Sequence, residues 1–165
     1  MKKVINYLRG IDTDDKDRYM FDTLILPDDE LEKSNDIFCW WFPIDTRLKD
    51  NLDAFIISID DFNNIIKKDG IILEAINFAL TRVVWFYEND NQWLTKDNHN
   101  FIRIARILRC LWLVGMKKEY VKFQKSLDKL FTQPQYKQII GMRTFFLWKC
   151  TCDDIIWLKT SVFVS

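Results

Sequence analysis

The chain has 165 residues, enough for one domain that buries roughly two thirds of its unfolded surface. At 48% hydrophobic and 15% aromatic it is too apolar to stay disordered. Its 24 basic residues balance 24 acidic ones, which excludes a global field that would gather nucleic acid, so charge-driven binding must come from local patches.

Two such patches stand out. Residues 12–36 are rich in acids and residues 96–149 lean basic; solvated faces, or pairing of one half with the other, account for both. The opening MKKVINYLRG has the lysines of a signal peptide without its apolar core. The acidic DTDDKD at 12–17 lacks the glycine at the sixth loop position and the acid at the twelfth, where Thr23 stands, so no EF-hand is expected.

Gly and Pro are too rare for a many-turned β protein, and helical spacing dominates. Acids open a helix after Leu26-Pro27, with Leu31, Phe38 and Trp41 on one face, and Phe42-Pro43 stops it. Residues 44–57 connect. Ser58 and Asp61 form a capping pattern for a helix carrying Ile59, Phe62, Ile65 and Ile66, with Gly70 as its expected stop. Residues 71–88 read as a long helix, apolar on most sides and therefore central, though Glu74, Asn77 and Arg82 interrupt it as a transmembrane segment. ENDNQWLTKD is a polar loop.

Asp97 or Asn98 then caps a helix whose apolar face is Phe101, Ile104, Ala105, Leu108, Leu111 and Trp112, ending at Gly115. KKEYVKFQKSLDKLF follows after a short turn, so residues 98–132 should form an antiparallel αα-hairpin. Pro134 breaks it, and two shorter helical candidates complete the chain. The expectation is one all-α domain of about six or seven helices. Cys39 and Cys110 lie in apolar runs, and CTC at 150–152 is not a metal or redox spacing. Four reduced thiols, no metal and no cofactor are expected, in a soluble, cytoplasmic chain.

Four stretches carry a resemblance. LEKSNDIFCWWFPI at 31–44 resembles a signature of the opioid growth factor receptor conserved domain, through Leu31, Glu32, Asp36, Trp40, Phe42 and Pro43. Tyr7 and Arg18 fall where that domain has an early aromatic and an arginine. NLDAFIIS is similar to a second motif through Asn51, Ala54 and Ser58, without its two prolines. NHNFIRIARILRCLWLVGM at 98–116 is close to a third, and TFFLWKC resembles a segment near the domain's end. The resemblance spans about residues 7–150; it departs at Asn35 and Cys39, where the family has His and Gln. It implies a receptor or signalling role, with nuclear or membrane association as further expectations.

The third stretch holds the one histidine, His99, between Asn98 and Asn100, followed by Arg103, Arg106 and Arg109. At ~100° per residue the arginines spread over an arc of about 120°, a stripe that could grip carboxylates or phosphates. The alternatives are a polar fastening at the helix start and intramolecular pairing with the acids of DDELE. Trp40, Trp41 and Phe42 fit either a peptide groove or core. No nucleophile motif accompanies His99, so no catalytic residue is assigned. Two functions remain open: a non-catalytic module that binds a peptide or protein segment, acidic in character, through Asn98–Arg109, and an enzyme acting on a small anion in a pocket of Asn98, His99, Asn100 and an arginine. A domain whose signatures only specify its fold is the third.

Overall fold

The computed structural model describes residues 2–48, 55–89 and 92–161; Asn51 and Ala54 of the second motif lie outside them. Ten α-helices run through these residues: α1 (Lys2–Leu8), α2 (Met20–Leu24), α3 (Asp28–Lys33), α4 (Asn35–Trp41), α5 (Ile59–Asn64), α6 (Gly70–Asn89), α7 (Asn100–Leu113), α8 (Lys117–Phe131), α9 (Pro134–Lys149) and α10 (Asp154–Ser161). The all-α class is as expected, and the only β-type pairing among them is an isolated bridge between Ile44 and Ile56. The helix count exceeds six or seven because α1 and α2, with seven and five residues, are too short for a helical apolar period to declare itself, and because the expected helix over 28–41 is two.

Local chemistry explains several boundaries. Ser58 Oγ accepts the Asp61 amide at 3.1 Å and caps α5. Gly70 does not stop that helix; it opens α6, where Asp69 Oδ1 accepts the amides of Ile71 and Ile72 at 3.0 and 3.2 Å. Gly115, at φ +81°, turns the chain between α7 and α8. Pro134 is the first residue of α9, a position where its missing N–H costs nothing. Gly141, at φ 73° and ψ 156°, kinks α9 in a region of backbone space essentially closed to other residues.

The central helix is α7, not α6. Ile104, Ala105, Ile107, Leu108, Cys110 and Leu111 are all fully buried, and α7 packs on α4, α8 and α9. Each Ile or Leu so buried contributes roughly 1.5–3 kcal/mol. By contrast α6 is one-sided: Ile72, Ile76, Ala79 and Val83 are buried, while Ile71, Phe78 and Trp85 stand more than half exposed. By length and composition alone α6 would also suit a membrane span; here its inner face packs on α1, α2 and α4. The α7–α8 hairpin forms as expected. In the polar loop before it, Trp93 and Leu94 are buried, with Trp93 against Tyr87 at 4.8 Å, so an aromatic anchor holds that loop to α6.

The acidic loop at 12–17 organises around Asp14, which is buried and accepts the amides of Lys16 and Arg18 at 2.8 and 3.0 Å and the Arg18 guanidinium at 2.6 Å. Arg18 continues to Asp36 on α4 at 2.6 Å, and Tyr7 packs on Trp40 with centroids 5.1 Å apart.

Candidate functional site

The expected single helix over 28–41 is two. At Ser34 the backbone leaves helical geometry (φ −99°, ψ 79°), separating α3 from α4. Carbonyls of the last turn of a helix lack an internal partner, and α7 supplies one. Arg103 Nη2 donates to the Glu32 carbonyl at 2.7 Å and to Asn35 Oδ1 at 2.6 Å, while His99 Nε2 lies 3.2 Å from the same carbonyl. The Glu32 carboxylate receives Asn100 Nδ2 at 2.9 and 2.8 Å and lies 3.4 Å from Arg103 Nη1. Tyr87 Oη and Arg103 Nη1 both donate to Asn100 Oδ1, at 3.1 and 3.0 Å.

The other two arginines repeat the pattern further along. Arg106 Nη1 donates to the carbonyl of Phe42, the residue that ends α4, at 3.3 Å. Arg109 grips Asp45 through Nε and Nη2, and its Nη1 reaches the Thr151 carbonyl at 3.1 Å and Asp154 at 2.7 Å. Successive arginines on α7 thus fasten the ends of α3, of α4 and of the segment beyond it. All three are buried, with 5%, 3% and 1% of their surface exposed.

This geometry places every candidate residue. Asn98 closes the loop: its Oδ1 accepts the Asn100 amide at 2.9 Å and its Nδ2 donates to Thr95 at 3.1 Å. His99 is the flanking residue of α7 and is half exposed. Asn100, fully buried, and Arg103 and Arg109 direct side-chain donors into the domain. The stripe therefore does not form the open recognition surface expected for Asn98–Arg109. Its physical role is a clasp between the acidic and basic halves, the pairing that the charge distribution allowed. Trp40, Trp41 and Phe42 are core, each at most 3% exposed.

Electrostatics separate the three arginines. Burial lowers Arg103's affinity for its proton, opposed by the Glu32 carboxylate. Burial lowers Arg106 as well. For Arg109, burial is more than offset by Asp45 and Asp154, and its pKa is raised. Burial likewise pushes the Cys110 and Cys39 thiols up, which suits inert core cysteines rather than nucleophiles. No group of three or more His, Cys, Asp or Glu side chains capable of holding a metal occurs among the described residues.

The surface offers other hollows. Two adjoin along α6 and α8, about 350 and 340 Å³, sharing Val84, Glu88, Phe123 and Ser126. Leu80, Tyr87, Leu127 and Leu130 extend their apolar floor. Lys118, Lys122 and Lys129 stand along the lip with Glu88 and Glu119. None of these residues was singled out from the sequence; the only signal was the strong amphipathicity of α8 with its lysine-rich outer face. A wider depression of about 720 Å³ beside Arg9, Lys68 and Glu74 is open and shallow, and Arg9 is tied across it to Asp69 at 2.7 Å. Compared with family models, with curated proteins and with solved structures, the chain has no match.

Proposed function

We propose that this protein is a non-catalytic all-α binding module, a divergent member of the opioid growth factor receptor domain family, that takes an amphipathic, acidic peptide segment in the groove between α6 and α8. The observation that carries the binding role is the double hollow: two adjoining cavities of about 350 and 340 Å³ with an apolar floor and a polar lip. Concave, mostly apolar surface of this size is what an apolar peptide face needs. The lip carries Lys118, Lys122 and Lys129 against Glu88 and Glu119, a basic excess that favours acids flanking the apolar contacts.

The family assignment draws support from how the signature residues meet. Glu32 of the first stretch receives Asn100 and Arg103 of the third. Asp36 receives Arg18, and Trp40 packs on Tyr7. Residues that carry the resemblance are one another's partners, the pattern expected when a signature specifies a shared fold.

Selection from a displayed library of 15-residue peptides tests the binding role. Peptides enriched on the wild-type protein should pair apolar residues with acids. Ser126→Trp, which fills the join between the hollows from an exposed position, should weaken them at least about tenfold, a loss of ~1.4 kcal/mol. Binding that survives both Ser126→Trp and the Lys118→Glu/Lys122→Glu pair would overturn the groove assignment.

A further inference from the structure

Arg106 is a buried charge with no ion pair among the described residues. Glu32 meets Arg103, Asp45 and Asp154 meet Arg109, and Asp36 meets Arg18 and Lys16. No described carboxylate forms an ion pair with Arg106, which donates to the Phe42 carbonyl at 3.3 Å. Its Nη2 is buried with no hydrogen-bond partner among the described residues, and so is Nε of neighbouring Arg103. A guanidinium does not shed its proton to escape this position, and an uncompensated buried charge costs several kcal/mol.

Beside these groups lies a small cleft of about 40 Å³, lined by Asn35, Phe38, Cys39, Leu48, His99, Ile102, Arg103 and Arg106. Among the described residues its lining holds two guanidiniums, an imidazole and an amide, and no carboxylate. Asn35 and His99 are exposed enough to form a mouth. A cavity holds one water at roughly 10–15 Å³, so about 40 Å³ takes the few atoms of one carboxylate. A single negative charge also matches Arg106, the buried arginine of the α7 stripe that has no ion pair among the described residues.

We propose that the cleft between α4 and α7 is a binding site for one compact monoanion, a single carboxylate group, held by Arg106 with Arg103 and His99 beside it. Planar, two-oxygen carboxylates match the guanidinium fork. The carboxylate can belong to a free small acid or to an acidic side chain of a partner; the chemistry at Arg106 is the same. The site stands apart from the α6–α8 groove, with which it shares no lining residue, and it does not rest on the peptide-binding role.

The test is thermal unfolding in sodium formate against sodium gluconate at equal ionic strength, since gluconate presents a carboxylate too encumbered to enter. Formate should raise Tm saturably, by at least about 2 °C at the plateau. Arg106→Met, which keeps the volume and removes the charge, should show no difference between the two salts. In gluconate it should melt no lower than wild type, because removing an unpaired buried charge is neutral or stabilising. Should that variant fail to fold, formate titration of the wild-type protein followed by the ¹⁵Nε–Hε signals of its arginines decides: saturable shifts of Arg103 and Arg106 support the site. N-acetylglutamate amide separates the sources. A matching effect assigns a partner's side chain, and an effect of formate alone assigns a free acid. Equal Tm values in formate and gluconate with unmoved arginine signals, or a formate effect that persists undiminished in Arg106→Met, overturn the proposal.

Discussion

Glu32→Gln tests the clasp that joins the two halves of the domain. The carboxylate receives Asn100 Nδ2 at 2.9 and 2.8 Å, with Arg103 Nη1 at 3.4 Å and His99 Nε2 at 3.2 Å. An amide of the same shape keeps one acceptor oxygen and turns an NH₂ group toward these donors. Arg103, 5% exposed, loses its only ion pair among the described residues. Breaking a fully buried pair from one side costs about 3–5 kcal/mol, and an exposed pair about 0–1 kcal/mol. The Glu32 side chain is 30% exposed, and Arg103 keeps Asn35, Asn100 and the Glu32 carbonyl. The loss should therefore fall between those limits, about 2 kcal/mol, or about 4–8 °C in Tm for a chain of this length. Urea unfolding should show a lower midpoint with an unchanged slope. Asp29→Asn is the control: it lies on the same helix and pairs with Lys33 at 3.5 Å, but its side chain is 72% exposed, so its effect should stay within about 0.5 kcal/mol. If Glu32→Gln is no more costly than Asp29→Asn, the polar clasp does not hold the halves together and the reasoning fails.

Gly141→Ala should cost about 1–3 kcal/mol, although a Cβ there would meet no atom within 4 Å. The cost lies in the backbone at φ 73° and ψ 156°, so urea unfolding should show it without any packing defect in the folded structure; a neutral result would refute the kink. Stability should also fall on acidification. Burial alone would raise Asp36, but Lys16 and Arg18 more than offset it and hold the carboxyl below the ordinary range. For Asp69, burial is likewise outweighed, here by Arg9 and by the amides of Ile72 and Ile71. Both groups bind protons more readily unfolded than folded, so their contribution is present above the unfolded value of about 3.9 and is lost as pH falls through the folded ones. The urea midpoint should drop in that acid window, and Asp36→Asn should flatten the drop; an unchanged slope in Asp36→Asn would refute the assignment.

The αα-hairpin was legible because its information is local. Phe101, Ile104, Leu108 and Leu111 repeat at helical spacing, and Gly115 can take the positive φ that the turn needs. The Ser58 cap was legible for the same reason, since donor and acceptor are three residues apart. The break at Ser34 was not. Residues 28–41 read as one helix; the partners of the Glu32 carbonyl, Arg103 and His99, lie 71 and 67 residues away. Gly70 was misassigned because a glycine can end one helix or begin the next, and Asp69 decided between them by accepting the amides of Ile71 and Ile72.

Sequence by itself determined the all-α class, the hairpin and the opposed charges of the two halves, since helical period and capping chemistry act within a few residues. Tertiary structure alone decided which helix is central and where the arginines point. A stripe of three arginines reads as a surface because charged side chains seldom stay buried without partners. Partners for Arg103 and Arg109 come from chain segments far from α7. Arg106, buried on the same stripe with no ion pair among the described residues, could be distinguished from its neighbours only once those long-range distances were known.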